Sequence, residues 1–177
     1  MSTISRRTAL ISALGASAAT LAGVAISGPA DAAPATPACR GGNLSGSFVQ
    51  IPGSGAAGHI GYRLTVKDKA THKCFLKGLP KVRLLDKHGH SLPSHVVSAG
   101  GASHKIVILP GHTATADARI SDVPSAGDHQ TGKCQPTAFK ARVGPRPGGG
   151  KTVVAVTPHT SVCGKGTMRF HPFVHGP

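Results

Sequence analysis

Ile60-Gly61-Tyr62-Arg63-Leu64-Thr65-Val66-Lys67 alternates large apolar residues with small, polar or charged ones at every step. Side chains leave opposite faces of a strand in turn, so this period-two pattern describes a strand with one buried and one wet face. Ala114, Ala116, Ala118 and Ile120 repeat it against Thr113, Thr115, Asp117 and Arg119, and Phe139, Ala141 and Val143 repeat it against Lys140 and Arg142. Shorter apolar runs occur at Ser47–Ile51, Lys81–Leu85, His95–Ser98, Lys105–Leu109, Thr152–Val156 and Met168–Val174. Between them stand Pro52-Gly53, Lys87-His88-Gly89-His90, Gly100-Gly101, Pro110-Gly111 and Gly144–Gly150, which favour tight reversals. No stretch beyond residue 32 carries an apolar stripe at helical spacing. The pattern predicts about eight or nine short strands in an antiparallel sandwich or barrel.

Ahead of these strands lies a different kind of sequence. Arg6-Arg7 is followed by Ile11–Ile26, sixteen residues without a charge, and then by Ala30-Asp31-Ala32. A basic start, an apolar middle and a small-x-small cleavage site form an export signal, and the paired arginines indicate the twin-arginine route. The apolar middle falls short of the ~20 residues a membrane span needs, so no span is expected in the mature form. Leu21-Ala22-Gly23 is followed by Val24, where a lipid-modified Cys would have to stand. The expected organisation is a signal over 1–32, a short Ala/Pro/Gly linker over 33–42 and one β domain over 43–177. The expected product is exported, secreted or cell-wall associated, and not lipid-anchored.

The chain has 20 basic and 6 acidic residues; without Arg6, Arg7 and Asp31 there remain 18 and 5, a net +13. No Glu occurs. Such a balance favours solubility and attraction to polyanions. Cys39, Cys74, Cys134 and Cys163 all follow the signal, and an even count in an exported chain reads as a disulfide framework. Four cysteines allow three pairings; closeness in the chain favours Cys39 with Cys74 and Cys134 with Cys163. No Cys-x-x-Cys occurs to suggest zinc.

Several segments in order resemble a known family: Gly55-Ala56-Ala57-Gly58-His59-Ile60-Gly61-Tyr62-Arg63-Leu64, Cys74-Phe75-Leu76-Lys77-Gly78-Leu79-Pro80-Lys81-Val82-Arg83-Leu84-Leu85-Asp86 with Gly89, Ile108-Leu109-Pro110-Gly111-His112-Thr113-Ala114, Cys134 with Pro136 and Ala138, and Val162-Cys163-Gly164. The resemblance covers Cys39 to Pro172. It is to exported proteins and lipoproteins of high-GC Gram-positive bacteria, catalogued as domain of unknown function four-two-three-two. It implies an immunoglobulin-like β-sandwich with paired cysteines, and it brings no catalytic residues to transfer. Similar proteins tend to carry Asn in the turn before the second cysteine, where this chain has Lys67-Asp68-Lys69-Ala70.

Little in the sequence points to catalysis. The carboxylates Asp68, Asp86, Asp122 and Asp128 fall in turns, where Asp serves backbone hydrogen bonding. No Gly-x-Ser-x-Gly elbow is present, and Gly144–Thr152 has one residue too many for a phosphate-binding loop. No cofactor is expected. Phe48, Tyr62, Phe75, Phe139, Phe170 and Phe173 fall mostly on apolar faces and are expected in the core, leaving few rings to stack on bases. No specific nucleic-acid partner is therefore expected. Asn43-Leu44-Ser45 fits a glycosylation pattern by chance in a chain with a bacterial-type signal.

The densest cationic run is Lys67, Lys69, Lys73, Lys77, Lys81, Arg83 and Lys87, seven charges in 21 residues. It makes anionic wall polymers the expected partner of a non-catalytic protein. The same run also reads as wet-face residues of two neighbouring strands. Eleven His allow a second reading, a metal-binding or pH-responsive module, with His88, His90 and His95 as candidate ligands and His171 and His175 forming another group. An enzyme of unknown reaction is the third. The sequence leaves the oligomeric state open.

Overall fold

The period-two stretches form strands in the computed structural model, which describes residues 35–131 and 133–177. Arg6, Arg7, Ala30 and Ala32, which carry the expected export signal, lie outside them. The strands are β1 (Leu44–Gln50), β2 (His59–Asp68), β3 (Cys74–Lys77), β4 (Lys81–Leu85), β5 (His95–Ser98), β6 (Lys105–Ile108), β7 (Thr113–Ser121), β8 (Ala138–Gly144), β9 (Thr152–Thr160), β10 (Thr167–Phe170) and β11 (Val174–His175). No helix among the described residues is long and apolar enough to cross a membrane.

Nine strands share one sheet, in the order β4-β8-β9-β1-β2-β7-β10-β5 with β11 also on β7; β3 and β6 form a separate pair. Most pairings are antiparallel, but β1–β9 and β5–β10 are parallel. β4 and β5 end the path, yet the chain between them folds back. Leu92 N–H donates to Leu84 O at 2.9 Å, and Leu84 N–H donates to Ser94 Oγ at 3.0 Å. The sheet is therefore barrel-like, with its two ends stitched by residues 91–94. The strand pattern left an antiparallel sandwich or a barrel open, and the sheet is all-β and barrel-like.

The alternation seen in sequence sets the core. On β2, Tyr62, Leu64 and Val66 are buried while Arg63 and Lys67 are exposed. Their register partners on β7 are Ala118, Ala116 and Ala114, also buried. Small residues opposite large ones let the curled sheet fill its interior. Phe48 centres the core, 5.0 Å from the Tyr62 ring and 5.9 Å from Phe170. The Tyr62 hydroxyl is satisfied by donating to Pro158 O at 2.9 Å. Burial raises its pKa above the ordinary phenol value, partly offset by a hydrogen bond with Thr160.

Four local expectations need correction. The last residues of the expected linker over 33–42 belong to the folded body. Cys39 N–H donates to Phe75 O at 2.9 Å, and Phe75 N–H donates to Pro37 O at 2.9 Å. Phe139 was expected in the core, but it is only half-buried, beside His159 at 4.2 Å. The cause is a register shift between Ala138 and Lys140, which breaks the alternation. Phe75 is also half-buried, with Lys105 Nζ 4.2 Å over its ring. The run Met168–Val174 splits into β10 and β11 at Pro172, which has no N–H for a ladder.

The disulfides join Cys39 to Cys74 and Cys134 to Cys163. They close loops of 35 and 29 residues, worth roughly 3–4 kcal/mol each by chain entropy. In the Lys67–Ala70 turn, Asp68 Oδ1 accepts the Ala70 N–H at 2.8 Å. Asp thus makes the local bond that Asn makes in such turns. Leu64 has no exposed surface. Leu64→Ala is expected to cost about 2–5 kcal/mol in urea denaturation. Val153→Ala, on an exposed outer position, should stay within about 0.5 kcal/mol of the wild type.

Candidate functional site

Four cations gather where β4 meets β8, and among the described residues none of them pairs with a carboxylate. The two strands are antiparallel, with Lys81 opposite Gly144, Val82 opposite Val143 and Arg83 opposite Arg142. Val82, Leu84, Ala141 and Val143 turn inward, which forces Lys81, Arg83 and Arg142 to the outer face. After β8 the chain loops through Pro145–Gly150 and returns as β9. Lys151 stands at the end of that loop. Lys81, Arg83, Arg142 and Lys151 line one depression of about 360 Å³, with Ser91 and the glycines at its margin. No carboxylate lines it.

The loop wall is held by backbone contacts. Gly41 N–H donates to Gly149 O at 2.9 Å, and Lys77 N–H donates to Arg146 O at 2.8 Å. Gly148 has φ +130°, and a Cβ there would overlap the Cys39 carbonyl oxygen. Glycine is required at this position by both the dihedral and the close approach. Cys39 is itself fixed by its disulfide to Cys74. The glycine-rich loop thus positions the edge of a cationic depression, although its spacing is wrong for a phosphate-binding motif.

Carboxylates elsewhere are committed. Asp117 pairs with Arg63, Nε to Oδ1 at 2.7 Å and Nη2 to Oδ2 at 2.8 Å. Asp128 accepts from Ser125 N–H, Ser125 Oγ, Gly164 N–H and Lys165 N–H at 2.7–2.9 Å. The Lys165 N–H, then the Ser125 N–H, hold its carboxyl well below the ordinary value of 3.8, against a small opposing effect of burial. Asp86 accepts the His90 N–H at 2.8 Å and lies 3.1 Å from the His90 ring nitrogen. Burial pushes its carboxyl up, but the bonds from His90 and His88 outweigh it and leave the pKa lowered.

All seven residues of the cationic run are exposed. Lys81 and Arg83 line the depression; Lys77 does not, although its N–H donates to Arg146 O in the adjoining loop. Lys67, Lys69, Lys73 and Lys87 do not line it. The run does not lie on two neighbouring strands, since β3 pairs with β6 and β4 with β8. Arg142 joins Lys81 and Arg83 only through the β4–β8 register, and Lys151 only through the β8–β9 pairing, so neither is near them in sequence. The histidine candidates are not brought together. His88 and His90 share the turn after β4 with ring centroids 6.0 Å apart, and His95 on β5 contacts Thr167 Oγ1 at 3.0 Å. Among the described residues no three His, Cys, Asp or Glu side chains are placed to share a metal ion.

A family model described as "Domain of unknown function (DUF4232)" matches residues 39–174. The chain belongs to this family. The match spans both disulfides, the cationic depression and all strands but the last residue of β11, as the sequence motifs implied. No match to the chain was found among curated proteins or among solved structures.

Two outcomes follow from this geometry. Gly148→Ala should displace the loop from Cys39, lower the melting temperature and loosen the depression, read as faster amide exchange at residues 146–151. Asp128 has a depressed native pKa, so its stabilisation is present in full above the unfolded carboxylate value and is lost as pH falls through the native one. The melting temperature of Asp128→Asn should therefore lie below wild type at pH 7, with the gap narrowing below pH 4.

Proposed function

We propose that the protein is exported and, outside the membrane, holds anionic envelope polymers without catalysing a reaction. The observation that carries this reading is the carboxylate-free depression lined by Lys81, Arg83, Arg142 and Lys151. Strands fix the backbone of three of these cations, and arginine offers a planar fork suited to phosphate and carboxylate oxygens. The remaining exposed lysines add a long-range field that raises the local concentration of polyanions.

Export is supported by Arg6-Arg7, the uncharged Ile11–Ile26 stretch and Ala30-Asp31-Ala32, together with two disulfides of the kind that persist in oxidising compartments. Val24 after Leu21-Ala22-Gly23 supports a product without a lipid anchor. A non-catalytic role is supported by Asp86, Asp117 and Asp128, whose carboxylates are engaged by turns or by Arg63, and by cysteines committed to disulfides. The same reading takes the curled sheet as an immunoglobulin-like sandwich whose edges have met. It is supported by the single interior shared by residues of β2 and β7 with those of β4 and β8.

The test is retention on purified cell-wall material. Binding in low salt should be released by roughly 0.5 M salt, where screening shortens the reach of charge to a few ångströms. Arg83→Gln with Arg142→Gln should weaken retention about tenfold, equivalent to about 1.4 kcal/mol. Retention that survives high salt, or that the double variant leaves unchanged, overturns the proposal.

A further inference from the structure

The arrangement of Arg83 opposite Arg142 recurs in the same sheet. On β10, Arg169 is the register partner of Arg119 on β7. The row runs from Gly61 on β2 through Arg119 and Arg169 to Val97 on β5, so two arginines stand side by side between two uncharged residues. Both are exposed and line a second depression of about 330 Å³. Like charges directly opposite each other destabilise a sheet.

Asp117 and Arg119 border one further depression, but among the described residues no ion pair joins Arg119 or Arg169 to a carboxylate. Asp117, two residues before Arg119, is held by Arg63 through two hydrogen bonds. Asp128 is filled by the N–H groups of Ser125, Gly164 and Lys165. Asp122, one residue past β7, does not line the depression. The hydroxyls at its margin are also engaged: Ser121 donates to Val123 O at 3.0 Å, Ser125 to Asp128 at 2.9 Å and Thr167 to Gly164 O at 2.6 Å. The two guanidinium groups are the donors left to act on a ligand. His59 lines the same depression, with Nδ1 3.0 Å from Ala57 O.

From this geometry we infer a second anion site, in which Arg119 and Arg169 together grip one phosphoryl group of an anionic polymer. Two planar forks side by side match a tetrahedral group that presents several charged oxygens. The polymeric source of that group rests on the function proposed above; the site itself does not. The two depressions share no lining residue, with β9, β1 and β2 between the arginine pairs along one side of the sheet and β5 along the other, so they are distinct sites on one molecule. The protein is then at least bivalent toward a polymer with repeating phosphoryl groups, and avidity follows from engagement at both.

Calorimetric titration of the folded protein with inorganic tripolyphosphate at low salt tests the site. Wild type should show two sites. Arg119→Gln with Arg169→Gln should leave one, as should Arg83→Gln with Arg142→Gln. Lys133→Gln with Lys140→Gln, which removes the same charge outside the cationic run and outside both depressions, should leave both. A single site in wild type, or equal losses in the lysine control, overturns the inference. Should the arginine double variant fail to fold, Arg169→Lys keeps the net charge and should still weaken tripolyphosphate several-fold; unchanged binding overturns the site. The source is tested by comparing wall polymer with phosphatidylglycerol vesicles at matched phosphate. Stronger retention by the polymer supports the inference, and equal or stronger retention on vesicles overturns its polymeric source. One tripolyphosphate site with intact wall binding removes the second site alone. Two sites without wall binding remove the function proposed above instead.

Discussion

Five carboxylates must serve 18 Lys and Arg side chains over residues 33–177, and this scarcity constrains everything else in the structure. The sheet cannot be held by ion pairs. Asp128 is spent on backbone N–H groups, Asp68 on a turn and Asp86 on the turn after β4. Among the described residues Arg63–Asp117 is the one Arg or Lys pair with a carboxylate. Cohesion comes instead from the apolar interior around Phe48, Tyr62 and Phe170 and from two disulfides. Both are indifferent to the charge carried outside, so the outer face can be cationic without unfolding the sheet.

The sheet could have placed opposite charges in register, and in one place it does. Arg63 on β2 faces Asp117 on β7. Arg83 faces Arg142, Arg119 faces Arg169, and Lys77 faces Lys105. In the last case Lys105 bends over the Phe75 ring, which draws that charge aside. In the arginine pairs the one side-chain bond among the described residues is a long one, from Arg142 to Ser91 Oγ at 3.5 Å. Each like pair carries an electrostatic cost in the free protein that a bound anion would reverse. A ligand that removes a native-state repulsion gains that energy on binding, so affinity and free-state stability are set against each other at the same residues.

Strand positions were legible because burial imposes period two on each strand locally, as in Ile60–Val66 and Ala114–Ile120. Turns were legible through Gly and Pro. The closure of the sheet was not, because Leu92 meets Leu84 through backbone groups that every residue carries. β3 was hidden by its shortness and by its separate pairing with β6. Phe139 was misplaced because a register shift is a property of two strands and leaves no mark on one. The candidate site was half legible for the same reason. Lys81 and Arg83 are close in sequence, whereas Arg142 and Lys151 reach them only across the ladder. The arginine at position 169 lay in a run read for its apolar residues alone.

The glycines of the Gly144–Gly150 loop serve a contact inside the fold. Gly144–Lys151 has the wrong count to wrap a phosphate, and the physical reason for its glycines is different. Gly148 must pass against the Cys39 carbonyl, and Gly41 must lie against the backbone of Lys151. The disulfide from Cys39 to Cys74 then ties that contact to β3. A covalent bond on one side of the molecule thereby sets where the wall of the depression stands on the other side of the loop. Charge alone needs no such placement, since a disordered lysine tail attracts polyanions equally well. Fixing cations on strands and behind a disulfide-anchored loop is useful only where the spacing between them matters, and that favours discrete anion sites over a diffuse cationic coat.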